Sequence, residues 1–109
     1  MKVPSLIFLT AMLPAAALAA QPSPQMLAQA CTGCHGTYGS RVGASIPSLA
    51  GQSRACLATA LQSFRSGARP STVMGRLARG YSEAEILVLA EYFAQQTGTT
   101  TQARECLDQ

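Results

Sequence analysis

The sequence predicts a small all-helical domain, and its helix start signals are the main reason. Ser23-Pro24 reads as an N-cap with proline at the first helical position, Ser53 precedes a second helical stretch, and Ser82-Glu83-Ala84-Glu85 is a capping box. The β-branched aliphatic residues that follow residue 20 are scattered singly: Val42, Ile46, Val73, Ile86 and Val88. This scatter predicts no β-strand. We therefore expect about four short helices joined by long loops.

The expected helices can be placed in order along the chain. The first begins at Ser23 and runs into Cys31, and the second spans 53–66, with apolar residues at helical spacing. A short third helix is expected over 74–79, and the last runs from the capping box to Gly98 and should cross the first. Between the first two helices, the Gly-, Ser- and Pro-rich stretch 36–51 predicts one long irregular loop.

The strongest motif is Cys31-Thr32-Gly33-Cys34-His35. Two thiols three positions apart, followed at once by an imidazole, are typical of the covalent attachment of a c-type haem. In such a site both sulfurs bond to the porphyrin and the histidine ligates the iron. We therefore expect Cys31 and Cys34 to form the thioethers and His35 to be an axial ligand.

Three alternatives for this motif are a structural zinc half-site, a thioredoxin-type redox pair and a chance match. Zinc would need two more ligands, and only Cys56 and Cys106 remain, because His35 is the single histidine. These two cysteines form no second close pair. A thioredoxin-type motif follows a buried strand, and the sequence predicts none.

The second axial ligand of an electron-carrying haem would have to be a methionine, since no other histidine exists. Met26 lies five residues before Cys31 on the same predicted helix, so it cannot reach the opposite haem face. Met74 is thirty-nine residues beyond His35, on a short segment of its own. We expect Met74 to ligate the iron; the alternative is a methionine that fills a gap in the core.

An axial histidine also needs a hydrogen-bond acceptor for its other ring N–H. Pro47, in the loop after the motif, carries a carbonyl that can serve. The alternative is that Pro47 only stiffens the loop.

The first twenty residues are typical of a secretory signal peptide. Lys2 is followed by an apolar run from Leu6 to Leu18, with cleavage expected after Ala19 or Ala20. A retained membrane anchor is the less favoured alternative, because the run is short and interrupted by proline. Export to the periplasm is consistent with haem attachment and permits disulfides.

Beyond this leader, seven arginines face five acidic residues, which leaves the chain at a net charge of about +2 before two haem propionates are counted. The arginines are dispersed, and the aromatic residues are not interleaved with them. Neither a nucleic-acid partner nor stable membrane insertion is expected. Arg76 and Arg79 follow Met74 closely and are candidates for steering a protein partner; the alternatives are that they are simply solvated or that they neutralise propionates.

The chain resembles class I c-type cytochromes and, more narrowly, the monohaem cytochrome subunit of flavocytochrome c sulfide dehydrogenase. The run around Met74 points to that subunit, whereas CxxCH indicates only a cytochrome. The matching segments are Met26-Leu27, CTGCHGTYG at 31–39, Pro47-Ser48-Leu49-Ala50, FRSG at 64–67, STVMGRLARGYS at 71–82 and EYFAQQ at 91–96.

This resemblance implies a class I cytochrome c fold over 21–98, between the leader 1–20 and a polar tail 99–109. It also implies one covalent haem c and an FAD-containing flavoprotein partner, with electrons passing from sulfide through flavin to haem and on to an acceptor such as another cytochrome. The implied roles are haem attachment for Cys31 and Cys34 and iron ligation for His35 and Met74. Several members of the family carry two haem domains, whereas this chain has one CxxCH.

Cys56 and Cys106 have no role in the class I haem pattern. Two cysteines left over in an oxidising compartment predict a disulfide that ties the tail to the second helix. The alternatives are two thiols, or a mixed disulfide with the partner through Cys106.

Three functions remain open at this point. The first is the electron-accepting haem subunit of a sulfide dehydrogenase, and the second is a free-standing electron shuttle to a terminal oxidase or another redox partner. The third is an enzyme acting through the thiols of Cys31 and Cys34. In the first two functions the chain performs no bond chemistry and has no catalytic residue, because His35 and Met74 saturate the iron.

Overall fold

The computed structural model describes residues 20–40 and 45–98. These residues form four α-helices and one short 3₁₀ turn, and no strand occurs among them. The helices are α1 (Pro24–His35), α2 (Arg54–Ser66), α3 (Met74–Ala78) and α4 (Glu83–Ala94), and the 3₁₀ turn is Thr37–Gly39. The predicted all-α class is confirmed. The expected signal peptide and C-terminal tail lie outside the described residues, apart from Ala20.

Three of the four α-helices begin at the serines that the sequence indicates. The Ser23 hydroxyl accepts a hydrogen bond from the backbone N–H of Met26 at 3.2 Å, and that of Ser53 accepts one from Cys56 at the same distance. Ser82 and Glu85 form the complete capping box, with side chains bonded to each other's backbone N–H groups. Each cap satisfies backbone donors that a helix start otherwise leaves without a partner.

Helix α1 runs into Cys31, as the sequence pattern predicts, and continues to His35. It ends at Gly36, whose φ of 83° lies outside the range open to most residues, while the Gly36 N–H still bonds to the Thr32 carbonyl at 3.0 Å. The whole CxxCH motif therefore lies on regular helix. The expected irregular loop 36–51 is interrupted by the 3₁₀ turn.

Helix α4 ends at Ala94, four residues before the Gly98 that was expected to end it. The Phe93 carbonyl accepts a hydrogen bond from the Gly51 N–H at 3.0 Å, so the loop before α2 meets the end of α4. Gly98 lies so close to the Ala50 backbone that a side chain there would overlap the Ala50 carbonyl oxygen. The chain therefore leaves the helix to pack along this loop.

The core lies between α1, α2 and α4. Helix α4 packs against both α1 and α2, which confirms the predicted crossing of the first and last helices, and α3 packs against α2. The largest fully buried side chains are Phe93, Ile86 and Leu89. Alanines fill much of the remaining interior, which lets the helix axes approach closely: Ala28, Ala50, Ala58, Ala78 and Ala90.

No helix in the described ranges has both the length and the apolar composition needed to span a bilayer.

Candidate functional site: the CxxCH turn and the Met74 segment

The last turn of α1 brings the three residues of the motif to one side of the helix. Cys31 and Cys34 are three positions apart, and His35 is four positions from Cys31, so Cys34 and His35 each lie next to Cys31 on the helix surface. Cys31 is half-buried, Cys34 is exposed and His35 is buried, with 6% of its surface accessible. The motif thus places two accessible thiols next to a buried imidazole.

The His35 ring is fixed by the loop that follows the motif. Its Nδ1 lies 2.7 Å from the Pro47 carbonyl oxygen. Because a carbonyl oxygen only accepts, Nδ1 carries the proton and Nε2 keeps its lone pair. Within the described residues Nε2 has no hydrogen-bond partner. A buried nitrogen with a lone pair and no donor facing it is the arrangement of a metal ligand.

The turn after the motif holds Pro47 in reach of His35. The Gly39 carbonyl accepts hydrogen bonds from the Leu49 N–H at 2.8 Å, the Ala50 N–H at 3.2 Å and the Ser48 hydroxyl at 2.9 Å. Ser48 is buried, and its own carbonyl accepts a short hydrogen bond from the Gln52 side chain. The sequence analysis did not predict these roles of Gly39 and Ser48. The glycine at position 39 was the one feature of the sequence that could have indicated this turn.

Tyr38, in the same 3₁₀ turn, has a φ of 56°, which is uncommon for a residue with a side chain. Its surface is 61% exposed. The turn therefore tolerates some backbone strain in order to pass from the end of α1 into the loop that carries Pro47.

The environment of Cys31 disfavours the thiolate. Burial raises the pKa of the Cys31 thiol, and the nearby Cys34 raises it further. Reactive redox thiols have lowered pKa values instead. The burial of Cys31 therefore does not favour a nucleophilic thiol at this position.

Gly33 lies between the two cysteines, and a Cβ added there would have no protein atom within 4 Å.

Met74 is the first residue of α3 and is half-buried. Leu77 lies three positions later on the same helix face, and Val73 precedes it; they expose 47% and 53% of their surfaces. Met26, the other methionine that was considered, is 63% exposed on the first turn of α1. Met74 therefore lies within a partly open apolar surface, whereas Met26 lies in solvent on the helix that carries the motif.

These residues fit a c-type haem. The fit rests on the Nε2 of His35, on two thiols carried by the same last turn of α1, and on the apolar surface around Met74. Helices α1 and α3 also have different packing partners, since α1 packs on α4 and α3 on α2. Cys31 and Cys34 would hold the porphyrin, and His35 and Met74 would ligate the iron.

The remaining cysteines lie away from the motif in the sequence. Cys56, in the first turn of α2, is disulfide-bonded, so its sulfur is not available as a zinc ligand. Cys106 lies outside the described residues, and the Cys56–Cys106 pairing stays a prediction. In the described part of the chain, no three His, Cys, Asp or Glu side chains cluster as a metal site.

Several curated proteins are similar to this chain. It is 49% identical over 69 residues to the cytochrome subunit of sulfide dehydrogenase from Chlorobaculum tepidum, covering 63% of this chain and 62% of that protein. It is 48% identical over 67 residues to a thiosulfate dehydrogenase electron acceptor from Stutzerimonas stutzeri, covering 59% of this chain and 31% of the relative. A second such acceptor, from Thiomonas intermedia, is 37% identical over 83 residues, covering 75% of this chain and 36% of the relative.

The matched region spans less than two thirds of the length of each of these relatives. No protein-family model matches the chain. One of these relatives is nevertheless described as a cytochrome subunit and two as electron acceptors, and the described residues form an all-helical fold. Sequence similarity and architecture together confirm that this is a small protein resembling the class I c-type cytochromes.

Proposed function

We propose that the chain is a periplasmic monohaem c-type cytochrome that carries single electrons, and that it is the electron-accepting haem subunit of a flavocytochrome c sulfide dehydrogenase. Its partner in this proposal is an FAD-containing flavoprotein that oxidises sulfide. The similarity to the Chlorobaculum tepidum cytochrome subunit supports the choice of partner.

The observation that carries the proposal is the hydrogen bond from His35 Nδ1 to the Pro47 carbonyl. It orients the buried imidazole, selects the tautomer with a lone pair on Nε2 and makes that nitrogen a better donor to iron. The neighbouring thiols of Cys31 and Cys34 are placed to bond to the same macrocycle.

A bound haem supplies one-electron exchange at its iron. His35 from α1 and Met74 from α3 would ligate its iron, which would leave no position open to oxygen or sulfide. Burial of His35 limits water on its side. Electron exchange with partners would then proceed through the haem edge.

A second candidate function is the electron acceptor of a thiosulfate dehydrogenase, acting as a free-standing shuttle. Two relatives carry that description, although this chain aligns with only about a third of each. Both candidates use the same haem ligands. The residues of the site therefore do not separate them, and the electron donor must be determined by experiment.

The test begins with expression of the full chain, leader included, in a bacterium that matures c-type cytochromes. The expected product is periplasmic, starts near residue 20 or 21, and has one covalent haem and a Soret band. The ferric protein is then mixed with sulfide and the flavoprotein subunit of a sulfide dehydrogenase, or with thiosulfate and a thiosulfate dehydrogenase. Rapid reduction with the first pair and slow reduction with the second support the sulfide proposal.

The reverse order of rates would favour the thiosulfate function. A double variant, Cys31→Ala with Cys34→Ala, is the control for covalent attachment and should lose the haem on denaturation. Purified wild-type protein with two titratable thiols and no Soret band would contradict the cytochrome assignment itself.

A further inference from the structure

A polar cleft that the haem site does not use lies where the C-terminal half of α2 meets the end of α3 and the start of α4. It is open to solvent and has a volume of about 430 Å³. Its lining combines two cations, one carboxylate, an amide and a hydroxyl: Arg65, Arg79, Glu83, Gln62 and Ser66.

The two arginines of this cleft are not neutralised by the described part of the protein. The one ion pair there joins Arg54 to Glu91 at 3.1 Å, and neither cleft arginine has a carboxylate oxygen within 4.0 Å. Arg69, which does not line the cleft, has its guanidinium 4.7 Å from the centre of the Phe64 ring. Arg65 and Arg79 thus leave their charge available to a ligand.

Arg79 is exposed and lies against the end of α2. Its guanidinium lies beside the C-terminal end of α2, with one nitrogen 3.9 Å from the position that a Cβ on Gly67 would occupy. The C-terminal end of a helix carries partial negative charge from its last carbonyls, which favours a cation there. Arg79 therefore places an exposed cation in the lining of the cleft, beside the negative end of the α2 dipole.

The cleft lies close to the proposed iron ligand. Helix α3 begins at Met74 and ends at Ala78, immediately before Arg79. Five residues of helix span about 7.5 Å along the axis. A protein bound at the cleft would therefore cover a surface adjacent to the Met74 side of the haem site.

The charge pattern favours a protein surface over a small anion. Two arginines and Glu83 give the cleft a net charge of +1. A small dianion would be repelled by Glu83 and would remain hydrated in so open a site. A protein surface can place a carboxylate against the arginines and a donor against Glu83 at the same time.

Building on the proposed function, we propose that the cleft lined by Arg65 and Arg79 docks an acidic side chain of the protein that donates electrons to this cytochrome. Arg76, which lies on α3 but not in the lining of the cleft, takes no part. Docking here steers association and sets which edge of the haem site faces the donor.

The first arm of the test measures binding without electron transfer. The ¹⁵N-labelled holoprotein, fully reduced and therefore diamagnetic, is titrated with a capped tetraglutamate peptide at low ionic strength. We expect saturable shifts at Arg65, Arg79 and Gln62, and an affinity that falls about fivefold or more in Arg65→Gln, as removal of a steering charge predicts. The matched control, Arg76→Gln, should change the affinity less than about twofold.

Sulfate at matched ionic strength is the comparison for a small anion. Equal losses of affinity in the two variants would overturn the proposal, because the binding would then follow net charge and not the cleft. Saturation of the same signals by sulfate at lower concentration than the peptide would also overturn it, in favour of a small-anion site.

The second arm measures reduction of the ferric holoprotein by the flavoprotein subunit of sulfide dehydrogenase. Arg65→Gln with Arg79→Gln should slow the bimolecular rate constant about tenfold at low salt, and the difference should vanish at high salt. The single variant Arg65→Gln keeps Arg79 at the end of α2, so a slower rate in this variant is not due to a folding defect from the loss of Arg79. If the wild-type protein is not reduced at all, the proposed function fails, whereas the peptide arm still decides whether the cleft binds acidic groups.

Discussion

His35 and Pro47 are joined by a hydrogen bond of 2.7 Å from the imidazole Nδ1 to the backbone carbonyl oxygen. This contact links the last turn of α1 to the loop before α2, two parts of the chain that the 3₁₀ turn separates. It decides which ring nitrogen bears the proton. The orientation of the proposed iron ligand therefore depends on how firmly the loop holds position 47.

The first prediction concerns Pro47→Gly, which keeps the carbonyl but frees the backbone. We expect a weaker hydrogen bond, because the loop no longer holds the carbonyl in place, and a higher haem reduction potential, because the imidazole becomes a poorer donor. The measurements are a redox titration and the chemical shift of the Nδ1 proton in the reduced protein.

Pro70→Gly is the matched control, since Pro70 is an exposed loop proline away from the histidine. Both variants should lose about 0.4–1 kcal/mol of stability from a more flexible unfolded chain. If Pro47→Gly behaves like Pro70→Gly, with no change in potential or proton shift, then Pro47 only stiffens the loop.

The second prediction is that Met74→Ala removes the sixth iron ligand. The ferric variant should lose the weak far-red band that arises from sulfur-to-iron charge transfer, since no sulfur would then bind the iron. Met26→Ala is the control and should retain the band, because Met26 is 63% exposed on the helix that carries His35. Persistence of the band in the Met74 variant would refute the ligand assignment.

The third prediction compares two glycines of the CTGCHGTYG segment. Gly39 has a φ of 77°, and a Cβ there would lie 2.7 Å from the Phe93 ring and 3.0 Å from Leu49. We expect Gly39→Ala to destabilise the protein by about 3 kcal/mol, from left-handed backbone and overpacking together. Gly33 lies within α1, and a Cβ there would have no protein atom within 4 Å, so Gly33→Ala should not destabilise the protein. Denaturant unfolding of both holoproteins measures the difference, and equal stabilities would contradict the packing argument.

These glycines also show where sequence reasoning stops. A cap such as Ser53 acts within one turn of its own helix, so three or four residues suffice to predict it. The role of Gly39 depends on Phe93, fifty-four positions away, and only the folded chain brings the two together. The end of α4 was mispredicted for the same reason, because the Gly51 N–H that bonds to the Phe93 carbonyl belongs to a distant loop.

In the candidate site, too, the locally determined features could be predicted from the sequence and the long-range contacts could not. The motif itself predicts that Cys31, Cys34 and His35 share one surface, because helical spacing is a local property. Pro47 was predicted as one of two alternatives, and the hydrogen bond to His35 is present. The Arg65–Arg79 cleft has no sequence signal, since it forms only where α2 meets the end of α3.

The fourth prediction is a pH dependence that originates in the capping box of α4. Hydrogen bonds from the Ser82 backbone N–H and hydroxyl lower the pKa of the Glu85 carboxyl below its usual 4.5. A pKa lowered in the folded state means that the charged carboxylate adds stability above pH 4.5, and that this stability is lost as the pH falls through the lowered pKa. Glu85→Gln should therefore flatten the decline of stability below about pH 4.5.

Thermal unfolding of the holoprotein between about pH 3 and pH 7 tests this, with Glu83→Gln as the control from the same helical turn. Ser82→Ala should lower stability by about 1 kcal/mol at neutral pH, because the Glu85 N–H loses its cap. A Glu85→Gln profile that parallels the wild type in acid would show that other carboxyls govern the decline.

The fifth prediction concerns Cys56, which is disulfide-bonded at the start of α2. We predict Cys106 as its partner, since Cys31 and Cys34 are assigned to the haem and the chain has four cysteines. Intact mass under non-reducing, denaturing conditions with an alkylating reagent should show no added groups on the mature haem protein. Two added groups would mean that the bridge does not form.

Removing the bridge should have a large effect on so small a domain. A disulfide that closes a loop of about fifty residues contributes about 4 kcal/mol through the lower entropy of the unfolded chain. Cys56→Ser and Cys106→Ser should therefore each destabilise the holoprotein by a similar amount, and the double variant should be no worse than either single one. Clearly different losses in the two single variants, or a mass that reveals a Cys106-linked partner, would instead indicate that Cys106 pairs outside this chain.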